Sequence, residues 1–164
     1  MDDAKISAEQ LTQFARDAVP FMQQMGVVVT EVEPGAVTMK VPLGEEFVRP
    51  GDTISGPVMM ALADFVMRAV VMSLVGPADL AVTTNLNVNF LHRPTPGDLI
   101  ARGSILTLSQ RLAVGEVSLY CEDEEDLVAH VTCTYALPSG LFLPTEAEHD
   151  GDSNHEPADD GDLA

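Results

Sequence analysis

From Pro57 to Val75 the chain is apolar on every helical face except at Asp64, Arg68 and Ser73, and this stretch limits the available folds more than any other. Its length is near that of a membrane span, yet an acid and a base in its middle would cost about 2.5–3.5 kcal/mol each on insertion scales. A helix buried all round by a sheet explains the run without that cost. Pro57 suits the first helical turn, where its missing N–H is no loss, and Gly76-Pro77 ends the helix.

The flanking segments supply such a sheet. Leu11, Phe14, Ala15, Ala18, Phe21 and Met22 recur at three- and four-residue spacings after Ser7, with Gln10 placed for a capping box. They predict an amphipathic helix over 7–25, kinked or ended near Pro20. Two β-branched runs in VVVTEVEPGAVTMKVPL are separated by Glu33-Pro34-Gly35, which is hairpin chemistry. Four strand-like runs follow the apolar helix: Leu80 to Phe90, Leu99 to Leu108, Leu112 to Cys121 and Leu127 to Leu137. Their connections, RPTPGD, Ser109-Gln110-Arg111 and CEDEED, are short enough to make neighbours antiparallel. The expected class is α+β: about six antiparallel strands curled around one long central helix, with an extra N-terminal helix. Residues 1–25 pack that helix on the domain, 26–140 form the domain, and 141–164 are an acidic tail too polar to order itself.

Charge and cysteine usage exclude several functions. The formal net charge is −18, and removing the eight acids of the tail still leaves −10 on residues 1–144. That opposes a polyanion partner, so nucleic-acid binding is not expected. Cys121 and Cys133 lie in alternating runs without C-x-x-C spacing and read as small buried hydrophobes. The N-terminus MDDAKISAEQ has acids where a secretory signal has bases. A cytoplasmic location is the expectation.

Asp64 is the candidate for chemistry, since an isolated carboxylate in an apolar helix is costly unless paired, hydrogen-bonded or used. Arg68, four residues on, offers the simplest partner, and spacing alone favours an ion pair between them. The segment before the helix points elsewhere. Arg49-Pro50-Gly51-Asp52-Thr53-Ile54-Ser55-Gly56-Pro57 delivers a Gly- and Pro-rich loop to a helix N-terminus, where free N–H groups and the dipole favour an oxyanion. A substrate carbonyl resting on the Gly56 N–H would be polarised toward attack. Asp64 lies more than two turns further along and cannot easily reach that carbonyl from its own chain, so a second subunit's Asp64 is the natural donor.

The run SGPVMMALAD, the strand AVTTNLNVNFLHRP and the late LVAHVTCTYALP resemble the hotdog-fold thioesterases of the phenylacetate-pathway (PaaI-like) acyl-CoA thioesterase group. The resemblance covers roughly residues 25–138. It implies Asp64 as nucleophile or general base for water, Gly56 as backbone donor to the thioester oxygen, and Thr83 as a hydroxyl that orients water or substrate from the partner's strand. It also implies hydrolysis of a medium-chain or aryl acyl-CoA without a cofactor, in a homodimer or homotetramer with sites between subunits. The group carries His-Gly-Gly before the helix; Ser55 stands in place of that His here, at the kept spacing to Asp64, and Arg49 stands where some relatives carry Asn. A serine hydroxyl can supply a weaker orienting hydrogen bond than the imidazole. The rival readings are a catalytically silent acyl-thioester-binding protein and a hydratase or dehydratase of the same fold, which would want a His base at the site.

The substrate-binding candidates are Arg49, Pro57, Asn85, Arg93 and Arg111, with Arg93 and Arg111 in loops at opposite ends of strands, where they could meet coenzyme A phosphates or simply be solvated. In the third strand, the first after the hairpin, alternation puts Leu80, Val82, Thr84, Leu86, Val88 and Phe90 on one face and Ala81, Thr83, Asn85, Asn87 and Asn89 on the other. His92 reads as a rim residue and His130 as a hydrogen-bonded structural one. No metal ligand set is present at ligating spacing.

Overall fold

The computed structural model describes residues 3–42, 44, 47–95, 97–122 and 124–141. The acidic tail expected over 141–164 lies, but for Leu141, outside the described residues. At the N-terminus α1 spans Ala8–Ala18 and is opened by the expected capping box, with Ser7 and Gln10 each bonding the other's backbone N–H. The helix breaks at Val19, because Pro20 cannot continue the ladder but does suit the first position of α2, Pro20–Gln24. Leu11, Ala15, Met22 and Met25 bury themselves in the common core.

β1 (Val28–Glu33) and β2 (Ala36–Val41) form the expected hairpin. Its turn closes at Gly35, whose φ of +80° a side chain would strain. The segment read as a loop before the central helix is instead a small ribbon: β3, Val48–Arg49, pairs with β4, Thr53–Ile54, across a turn with positive φ at Gly51 and Asp52. α3 then runs Gly56–Val75 and ends on Gly76 at φ +83°.

The remaining strands are β5 (Val82–Phe90), β6 (Leu99–Leu108), β7 (Leu112–Cys121) and β8 (Leu127–Ala136). With the hairpin they make one six-stranded antiparallel sheet in the order β1-β2-β6-β7-β8-β5. Alternate residues such as Val37, Met39, Ala101, Val117, Leu119, Val131 and Cys133 turn inward and bury α3, most of which is inaccessible to water. Both cysteines are buried and free. Burial of one such side chain, Leu62 for example, contributes about 1.5–3 kcal/mol. The polar Ser73 is accommodated because its hydroxyl donates to Val70 O and accepts from Gly35 N–H, tying α3 to the hairpin turn. This is the hotdog arrangement expected from the sequence.

β5 departs from simple alternation. Thr83 pairs with Tyr135 and Asn85 with Thr134, so Thr84 is an extra residue that bulges from the strand. Before the bulge Thr83 faces α3; after it Leu86, Val88 and Phe90 do, opposite the buried Cys133, Val131 and Ala129. The expected grouping of Thr83 with Asn85, Asn87 and Asn89 on one face is therefore corrected: the asparagines lie on the outer face.

Candidate active site

α3 presents Ala61, Asp64 and Arg68 along one partly exposed stripe, while the residues between them enter the core. The Asp64 carboxylate is gripped from the sheet. Thr83 Oγ1 donates to Asp64 Oδ1 at 2.6 Å, and Tyr135 donates its hydroxyl to the same oxygen at 2.8 Å, also lying 2.8 Å from Asp64 O. Tyr135 is fully buried, and that burial, together with the adjacent Asp64 carboxylate, raises its hydroxyl well above the usual phenol range. It stays a proton donor. Burial likewise pushes the Cys133 thiol up to about 12, with Asp64 adding to the shift. Asp64 Oδ1 is thus held by two hydroxyls, which leaves Oδ2 unengaged among the described residues.

The expected ion pair is not formed. Arg68 donates to Ala81 O at 3.2 Å and sits 5.9 Å from the centre of the Tyr135 ring, so neutral donors, not the guanidinium, satisfy Asp64. Thr83, expected to orient water or substrate, meets Asp64 within its own chain. The Thr84 bulge makes this contact possible, because unbroken alternation with Leu86 inward would turn Thr83 out.

A second group of candidates gathers about two turns away, at the N-terminus of α3. Gly56, Arg49 and Arg93 line a recess of about 540 Å³ together with Phe90 and His92. Thr53 Oγ1 donates to Pro94 O at 3.1 Å and pins the β3–β4 ribbon to the chain leaving β5. No acceptor among the described residues engages the Gly56 N–H, and Pro57 beside it has none to offer. A Cβ at Gly56 would meet the Phe90 ring at 3.4 Å, an ordinary van der Waals contact. Ser55 is the N-cap of α3 by position, but its hydroxyl makes no capping hydrogen bond.

The other candidates fall apart from these two groups. Asn85 is exposed on the outer sheet face, away from Asp64. Arg111 lies in the β6–β7 turn, where its carbonyl accepts from Leu137 N–H, at the opposite end of β8 from Arg93. Pro57 is exposed at the start of α3. His130 bonds Glu116 at 3.0 Å, as a structural histidine should, and His92 is exposed with Nδ1 2.9 Å from Leu127 O. Tyr135 is the residue that sequence reasoning missed; its inward register beside a lone acid was the available signal.

Such a site can present one carboxylate oxygen to an electrophile or a water while the other is immobilised. Comparisons with known proteins show the family. A family model of the thioesterase superfamily matches residues 51–128. A candidate esterase of Thermoplasma acidophilum is 30% identical over 105 residues, 64% of this chain and 77% of that one. Among solved structures, a candidate thioesterase of a Silicibacter species superposes with a TM-score of 0.76 at 34% identity, covering 83% of this chain and 94% of that one. A variant of the phenylacetic acid degradation protein PaaI of Thermus thermophilus superposes with a TM-score of 0.65 at 26% identity, over 73% of this chain and 99% of that one.

Proposed function

Because the chain belongs to the thioesterase superfamily, in its PaaI-like hotdog branch, we propose that it hydrolyses acyl thioesters of coenzyme A, with Asp64 as the catalytic carboxylate. The observation that carries this is the grip on Asp64: Thr83 and Tyr135 fix Oδ1 and leave Oδ2 available beside an open recess. In one course Oδ2 attacks the thioester carbon, the C–S bond breaks, the thiolate takes a proton from solvent, and water then cleaves the acyl-aspartate anhydride. In the other, Asp64 takes a proton from water as that water attacks. Both sum to thioester plus water giving carboxylic acid plus thiol. The carbonyl oxygen would rest on the Gly56 N–H at the positive end of α3.

One chain does not unite these parts. Gly56 and Asp64 are eight residues apart on α3, about 12 Å by helical rise. β5 suggests how they meet. It is an edge strand, mostly exposed, with Thr83 and Asp64 near one end and Phe90 and Gly56 near the other. Antiparallel pairing of β5 with its own copy about a two-fold axis brings the Asp64 end of each subunit to the Gly56 end of the other. Two composite sites result, and Arg49 and Arg93 flank the thioester handle, where they serve its phosphates.

The test is thiol release from a panel of acyl-CoAs. Wild type should turn over at least one medium-chain or aryl member, and Asp64→Asn should lose at least about 100-fold in kcat. No release from any member removes the hydrolase reading, and full rate in Asp64→Asn removes Asp64. The uncommitted Ser55 hydroxyl favours one competing reading, a protein that binds acyl thioesters without turnover. Silence in wild type with activity in Ser55→His would decide for it.

A further inference from the structure

Asp64 opens on a recess that the hotdog core does not build alone. Phe14, Ala18, Val19 and Phe21 of the N-terminal helices form one wall, and Ala61, Asp64 and Phe65 of α3 form the other, enclosing about 460 Å³. The first wall lies wholly outside residues 51–128, the segment matched by the family model. The recess exists because the chain turns at Val19 between α1 and α2, with φ −133° and ψ 79°, instead of continuing as one helix across α3. Phe14 and Phe65 stand with rings parallel to within 8°, their centroids 6.3 Å apart, and Phe21 is left 45% exposed at the edge.

We propose that this elbow is the acyl-binding wall, so that the N-terminal helices select a neutral, apolar acyl group, aryl or medium-chain, for attack at Asp64. The inference rests on the thioesterase reading for its occupant. An acyl carbon beside Asp64 has its chain next to Phe65, Ala18 and Phe21 on the shared wall. The volume suits an acyl group of several carbons, being within the range of small-molecule pockets. Charge decides the class. Asp64 and Asp79 both line the recess, against one guanidinium, that of Arg68, among its lining residues. An acyl chain ending in a carboxylate meets a lining whose acids outnumber its cation two to one, and a neutral chain carries no such penalty.

The experiment uses the full chain carrying Ala18→Phe, which fills the recess from the exposed end of α1, and reads two quantities. One is the ratio of kcat/KM for octanoyl-CoA to that for acetyl-CoA; the other is calorimetric affinity for the thioether S-octyl-CoA. The ratio should fall at least about tenfold, the scale on which pockets discriminate a chain's methylenes, and S-octyl-CoA should bind more weakly by a similar factor. Phe21→Ala should lower the same two quantities, and it serves should Ala18→Phe fail to fold. An unchanged ratio with unchanged affinity in folded variants overturns the acyl wall and leaves the hydrolase reading intact. If wild type cleaves no thioester, the hydrolase reading falls and the calorimetric arm decides alone: binding weakened by Ala18→Phe upholds the recess, and absent or unaltered binding overturns it.

Discussion

Tyr135 matters because of where its proton points. Asp64 sits among apolar neighbours, and a carboxylate there must be fixed by donors or it will sample rotamers that do not present an oxygen to substrate. Two hydroxyls from different strands do this at 2.6 and 2.8 Å. Since Tyr135 is fully buried, it reaches no substrate and acts only through Asp64. Tyr135→Phe keeps the ring under Arg68 and deletes one hydrogen bond to a charged group, an interaction worth about 1.5–3 kcal/mol. With Thr83 still holding the same oxygen, part of that should appear as a loss of roughly tenfold in kcat, and KM should stay within about twofold. Thr83→Ala should behave alike and Thr83→Ser should restore the rate. A fall confined to KM, or none, would show that Oδ1 needs no such hold. Arg68 gives the complementary lesson: four-residue spacing made it the natural partner of Asp64, but spacing along a helix ignores the loop and strand that pack against it, and those took the guanidinium.

Elements that periodicity could define were legible, and those set by packing between distant segments were not. The capping box at Ser7, the Pro34-Gly35 turn, the span of α3 and the four late strands all follow from local chemistry. The Thr84 bulge does not, because a polar strand alternates equally well in either register and only the fit of Tyr135 to Asp64 decides which face Thr83 takes. The β3–β4 ribbon was hidden for a similar reason, being two residues per strand and closed by positive φ at Gly51 and Asp52. Two glycines in the sheet were also silent in the sequence. A Cβ at Gly103 would come within 2.5 Å of Val66 Cγ1, and one at Gly115 within 2.5 Å of Met67 Sδ and 2.6 Å of Ser104 O. They set how closely α3 seats on β6 and β7. Gly115→Ala should therefore destabilise the fold by about 1–3 kcal/mol, as overpacking does, read as a lower midpoint in urea denaturation with an unchanged slope. A midpoint equal to wild type would mean that the helix has slack to move away.

At the scale of the whole molecule the open question is what covers β5. An exposed edge of nine residues, Val82–Phe90, with Val82 and Phe90 themselves exposed, is a template for pairing, and proteins seldom leave such an edge bare. Among partners, a second copy has the particular merit of completing the site. Pairing about a two-fold axis sets the middle of β5 against itself, so a charge introduced there opposes its own image. Asn85 and Asn87 are suitable positions: both are exposed on the outer face, and their neighbours on β8, Thr134 and Thr132, are uncharged, so the monomer has no reason to unfold. Glutamate is the better choice than lysine, because in a chain of net charge −18 a new cation would find an acid on the partner to offset it. Sedimentation velocity at micromolar concentration should give a dimer or larger assembly for wild type and monomer for the Asn85→Glu, Asn87→Glu double variant, with the far-UV circular dichroism retained. Thioester hydrolysis should then fall with the dimer fraction, since Asp64 of one subunit has lost Gly56 of the other. A monomeric variant with full activity would place the whole site within one chain, and a monomeric wild type would leave the β5 edge without its second copy.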